Sequence, residues 1–134
     1  PIAFARQLLG AQKIIGRSTH KPDDLQRAIK EGADYVGVGP VYETPTKAGR
    51  AAAGLEYVRY AAQNASLPWF AIGGIDTDNL EEVLLAGAER IAVVRAIMSA
   101  EKPVLVSQYF ISQLSREQTR RTRQSHVLNN VLNK

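Results

Sequence analysis

The chain has 134 residues, 45% hydrophobic and 22% charged, with no cysteine and a formal net charge of +4. That length and balance fit one soluble globular domain with a moderate core. The absence of cysteine excludes a disulfide framework, a thiolate nucleophile and a Cys-based zinc site, and no apolar run approaches the roughly 18 residues of a membrane span.

A cytoplasmic home is expected. The opening Pro1–Arg6 carries neither a basic leader nor a small-residue cleavage site, so no signal peptide is expected. It also lacks a start methionine, so the chain is expected to begin partway through something longer. The charge is uneven. Of 17 cationic and 13 anionic side chains, five and one fall in residues 115–134, leaving twelve of each sign in the body. The cations there are Arg116, Arg120, Arg121, Arg123 and Lys134, against Glu117. This segment is read as a basic C-terminal extension, helical or frayed, in preference to the alternative of a tail that attracts nucleic acid.

Taken in order, residues 1–10 read as the end of a helix, with Ile2, Phe4-Ala5 and Leu8-Leu9 on one face and Gly10 as its stop. Lys13–Ser18 reads as a buried strand with Thr19-His20 as its exit turn. Pro22, Asp23 and Asp24 open the next helix, since proline suits a first turn and the acids complement its dipole. Leu25, Ala28, Ile29 and Gly32 continue it at amphipathic spacing. A strand follows at Tyr35–Gly39, a Thr/Lys loop, a helix from about Leu55 to Asn64, and a strand at Pro68–Ile72 ending in Gly73-Gly74. Asp78 with Glu81 reads as a capping box for a helix carrying Leu80, Val83 and Leu84. The fourth strand is Arg90–Val94, and a last helix starts near Glu101–Pro103.

Strands that alternate strictly with helices, and lack polar alternation, indicate a parallel sheet covered by helices. Gly32-Ala33-Asp34-Tyr35-Val36 and Gly87-Ala88-Glu89-Arg90-Ile91 repeat one pattern of helix end, acid and strand, 55 residues apart. A unit of ~25–30 residues fits a TIM-type (β/α)8 barrel, whose full form needs ~200–250 residues. The fold class expected is therefore α/β, with this chain supplying about the last four βα units: residues 1–114 as the C-terminal half of the barrel, 115–134 as the extension.

In such barrels the chemistry stands on loops at the C-terminal ends of the strands. The unusual loops here occupy that position: Ser18-Thr19-His20, Thr44-Pro45-Thr46-Lys47, Gly73-Gly74-Ile75 and Arg95-Ala96. The opposite ends are plain Gly-Ala turns. Thr44, Thr46 and Lys47 put two hydroxyls and an ammonium within four residues, a set suited to phosphate or pyrophosphate. Gly73-Gly74 lets backbone amides approach an anion closely. Plainer alternatives stand beside each. Ser18 serves equally as a helix cap, His20 as a surface or capping residue, Gly73-Gly74 as a tight turn and Lys47 as a solvated lysine. Asp76 and Asp78 read as helix caps, Trp69 and Tyr42 as packing residues. With no nucleophile–base pair and no nucleotide loop, the residues point to a phosphorylated ligand and chemistry driven by electrostatics.

Four stretches, Gly16-Arg17-Ser18-Thr19-His20, Ala33 through Lys47, Ala71-Ile72-Gly73-Gly74-Ile75 and Ala92-Val93-Val94-Arg95-Ala96-Ile97, resemble thiamine phosphate synthase over roughly Ala5 to Leu114. The resemblance implies a (β/α)8 transferase that joins hydroxymethylpyrimidine pyrophosphate to thiazole phosphate, releasing pyrophosphate. It implies ionisation of the pyrimidine pyrophosphate, assisted by Mg²⁺ and cationic side chains, and capture of the pyrimidine cation by the thiazole nitrogen. Carried over, Ser18, Thr44, Thr46 and Lys47 meet the pyrophosphate and the thiazole side of the site. Gly74, with Gly73, binds the thiazole phosphate, and Val94 and Arg95 complete that phosphate site. Arg95 stands where the family often has serine. The family's Gln-x-Arg-x-Lys motif, Asn-Asp pair and further magnesium-ligating Asp have no counterpart here, so no metal ligand is expected in this chain. Closure by the missing half barrel or a second copy is expected instead. The sister family of thiazole tautomerases is the nearest alternative, with His20 as its acid/base; a catalytically silent phosphate-binding half barrel is the other.

Overall fold

A computed structural model of the chain describes residues 1–43 and 51–132. The chain divides into two compact units, Pro1–Val93 and Val94–Lys134. The first unit runs α1 (Ile2–Leu9), β1 (Gly16–Thr19), α2 (Pro22–Lys30), β2 (Tyr35–Val38), α3 (Gly54–Asn64), β3 (Trp69–Ile72), α4 (Leu80–Leu85) and β4 (Ile91–Ala92). The second holds α5 (Arg95–Met98) and α6 (Pro103–Leu132).

The four strands form one parallel sheet in the order β1-β2-β3-β4. Sequential order without reversal is the pattern of a barrel wall; a doubly wound sheet would switch direction in its middle. β2 and β3 are short because a glycine follows each, Gly39 after β2 and Gly73 after β3. β1 begins at Gly16, later than the run from Lys13 suggests, and β4 keeps only Ile91 and Ala92 of the expected Arg90–Val94.

Side chains alternate across the sheet. Thr19, Val36, Val38, Trp69 and Ala71 are buried on the face that carries α2 and α3. Leu25 and Ala28 of α2, Tyr57, Val58 and Ala61 of α3, and Leu80, Val83 and Leu84 of α4 are buried as well. Each large apolar side chain so buried contributes about 1.5–3 kcal/mol, which makes this layer the core. The opposite face is open: Ser18 lies in register with Gly37 and Phe70, while Tyr35 and Ile72 remain 39% and 41% exposed. Tyr35 and Phe70 meet edge to face at 5.8 Å there.

The N-terminal ends of β1 and β2 are tied by charge. Asp34 accepts hydrogen bonds from the Ile15 amide (2.6 Å) and Arg6 (2.7 Å), and together these hold its carboxyl below the usual range. Arg17 pairs with Glu31. In α1 only Ile2 is buried, while Phe4, Leu8 and Leu9 are exposed. α6 is continuous through residue 114, and among the described residues no helix is long and apolar enough to cross a membrane.

Candidate active site

At the C-terminal end of β1, strand alternation sends Ser18 to the open face and Thr19 inward. Ser18 does not cap α2: the helix starts after Lys21 without a side-chain cap, and the His20 amide donates to Asp24 Oδ2 at 3.1 Å. Thr19 is fully buried; its hydroxyl donates to the Gly37 carbonyl at 2.8 Å and accepts from Tyr57 at 2.7 Å. Burial pushes the Tyr57 phenol pKa up, which keeps it a donor. His20 directs Nδ1 at the Gly39 carbonyl.

The exit of β2 crosses directly over the exit of β3. A Cβ on Gly39 would lie 1.9 Å from the Ile72 carbonyl oxygen, so only glycine fits. A cis peptide bond joins Gly39 to Pro40. Beyond it, Val41 N–H donates to Ile72 O at 2.9 Å and Tyr42 N–H to Gly73 O at 3.0 Å. Gly73 and Gly74 have φ of 106° and 67°, and a Cβ on either would press on Pro40 or Tyr42. Among the described residues, the N–H groups of Gly73, Gly74 and Ile75 are bonded to no acceptor. Three successive amides of this kind, on a glycine turn after a strand, are suited to an oxyanion.

Polar side chains fix this turn from behind. Asn79 donates to the Gly74 carbonyl at 2.8 Å and accepts from the Asp76 amide at 2.9 Å. Asp76 Oδ1 in turn accepts from the amides of Asp78 (2.9 Å) and Asn79 (3.2 Å). The expected Asp78–Glu81 capping box is therefore absent; α4 begins after Asn79 with no side-chain cap, because Asp76 organises the turn instead. Tyr42 donates to Glu82 at 3.1 Å, and burial together with that carboxylate pushes its pKa up to about 12.

Thus Ser18, His20, Gly73 and Gly74 all stand at the C-terminal end of one sheet, as the loop positions suggest. Thr44, Thr46 and Lys47 lie outside the described residues. Val94 and Arg95 belong to the second unit, where Val94 is the N-cap and Arg95 the first residue of the short helix α5, an element the sequence reading lacks. Val94 O accepts from the amides of Ile97 and Met98. Tyr57 and Asn79 were missed as site residues. Asn79 has a local signal, an Asp-x-x-Asn spacing after Gly-Gly; Tyr57 reaches Thr19 across 38 positions and has none. Among the described residues there is no group of three or more His, Asp or Glu that could hold a metal ion.

Parallel strands in barrel order, with a glycine turn suited to an anion at their C-terminal ends, define a partial (β/α) barrel. The thiamine monophosphate synthase family model matches residues 1–97, and the chain belongs to that family. It is 70% identical over 116 residues to a thiamine-phosphate synthase of Nostoc sp., a match covering 87% of this chain and 33% of that protein. It is 63% identical over 91 residues to the Thermus thermophilus thiamine-phosphate synthase, covering 67% and 44%. A solved structure, thiamine phosphate pyrophosphorylase from Pyrococcus furiosus, is similar at a TM-score of 0.78 and 34% identity, over 87% of this chain and 55% of that one. The chain thus spans about a third of the Nostoc protein's length.

Proposed function

We propose that the chain is the thiazole-phosphate half of a thiamine-phosphate synthase, a transferase joining hydroxymethylpyrimidine pyrophosphate to thiazole phosphate. The observation that carries this reading is the Gly73–Gly74 turn where the β2 and β3 exits cross, with three amides that have no acceptor among the described residues. Those amides hold the thiazole phosphate. Lys47, Ser18, Thr44 and Thr46 face the pyrophosphate as its C–O bond breaks. Lys47 offsets the negative charge that develops on the leaving group, and the thiazole nitrogen then forms the new C–N bond to the pyrimidine methylene. The ligands of Mg²⁺ come from the first half of the barrel.

In this reading residues 1–114 complete half of a barrel and 115–134 are a basic extension. The open face of Tyr35 and Ile72, and the unpaired edges of β1 and β4, are where the remaining strands close, supplied by a first half barrel or a second copy. The chain alone is inactive, works in the cytoplasm and needs neither membrane nor nucleic acid.

The test is a graft. The chain replaces the matching segment of the Nostoc protein, and formation of thiamine phosphate is assayed from both substrates. Turnover within about tenfold of the parent is expected. A folded graft that binds neither substrate would defeat the proposal.

A further inference from the structure

Three facts converge on the Gly39 peptide. Its N–H donates to the Thr19 carbonyl at 3.1 Å, and its carbonyl faces His20 Nδ1. Two residues earlier, the Gly37 carbonyl accepts from the Thr19 hydroxyl. Two consecutive side chains at the end of β1 thus grip two alternate carbonyls of β2. His20 is itself anchored, since its amide donates to Asp24, whose carboxylate is held by Arg27 at 2.6 Å. A carbonyl oxygen only accepts, so Nδ1 carries the proton of this bond.

Gly39 has no room to move independently of β3, because the Ile72 carbonyl occupies the place of its missing side chain. Immediately beyond it, Val41 and Tyr42 bond to Ile72 and Gly73. Any displacement of the Gly39 peptide is therefore passed to the glycine turn. Capping of α2 needs only the His20 main chain and Asp24, so it leaves the aim of the ring unexplained.

We propose that His20 is a positioning residue: its Nδ1–H bond to Gly39 sets where the β2 exit crosses β3, and so sets the pose of the Gly73–Ile75 amides. This rests on the synthase reading, in which those amides hold the thiazole phosphate. It assigns His20 no proton transfer. Group transfer between the two substrates proceeds without it.

Two substitutions separate the ring nitrogens. His20→Asn places an amide N–H where Nδ1 stands and removes Nε2. His20→Gln reaches toward Nε2 and leaves the Gly39 carbonyl without its donor. In the graft, His20→Asn should keep kcat and the thiazole phosphate KM within about threefold. His20→Gln should raise that KM about tenfold or more, with kcat changed much less. A collapse of kcat in both variants would overturn the proposal in favour of chemistry at Nε2, and an unchanged KM in His20→Gln would overturn it outright. A second readout needs no turnover. Backbone amide NMR signals of Gly39, Gly73 and Gly74 should shift in His20→Gln and stay near their positions in His20→Asn; equal spectra for both would also overturn it. An inactive parent graft would count against the synthase reading, and the amide signals would still decide the role of His20.

Discussion

At the N-terminal ends of β1 and β2 the chain is held by charge, Asp34 gathering Arg6 and the Ile15 amide and Arg17 pairing with Glu31. At the C-terminal ends there is no ion pair among the described residues of Gly37–Tyr42 and Ile72–Ile75. Backbone crosses backbone, side-chain donors of Thr19, His20 and Asn79 hold carbonyls, and the amides of Gly73–Ile75 have no acceptor among the described residues. The first arrangement satisfies every group it recruits and serves stability. The second leaves backbone donors in a partly exposed turn, where solvent serves them until a ligand takes its place.

Glycine substitutions probe the contrast most strongly. Gly39→Ala drives a Cβ into the Ile72 carbonyl and should destabilise by about 3 kcal/mol or more, read as a lowered denaturant midpoint. Gly32→Ala, at the other end, meets nothing within 4 Å and should cost only the about 1–2 kcal/mol of a left-handed alanine. Equal costs would erase the distinction between the two ends. Next in size, Lys47→Ala in the graft should lose at least about tenfold in rate, 1.4 kcal/mol, with stability unchanged. An unaffected rate would remove Lys47 from the site.

The smaller effects are electrostatic. Asp34→Asn should lower the thermal midpoint at neutral pH without changing turnover. Because the folded pKa of Asp34 is depressed, its stabilisation is present above the ordinary value of 3.8 and fades as pH falls below it. The midpoints of parent and variant should therefore converge in acid. In α6, Glu117 accepts from Arg120 and Arg121, and chiefly the Arg120 bond holds its pKa down to about 2. That local support of the helix should be complete above about pH 4.5 and lost toward pH 2, a change measurable by circular dichroism against Glu117→Gln.

What the sequence discloses follows the range of each interaction. Gly73-Gly74 after an apolar run, Pro22 with two acids, and the repeated Gly-Ala-acid step are local signals, and the parallel order follows from them. The His20–Gly39 and Tyr57–Thr19 bonds join residues 19 and 38 positions apart, and no spacing rule anticipates them. The Asp78 cap failed because Asp76, two residues earlier, accepts from the amides of Asp78 and Asn79, and the helix starts only after Asn79. β4 is short because Val94 turns into α5, where three of its neighbours suit helix as well as strand.

The contrast between the two ends is tested most directly by following backbone amides while the graft is titrated with thiazole phosphate. The largest shifts should fall on Gly73, Gly74 and Ile75, with Gly32 and Gly87 unmoved. Saturation of the protein with those three amides unchanged would contradict the assignment of the phosphate site.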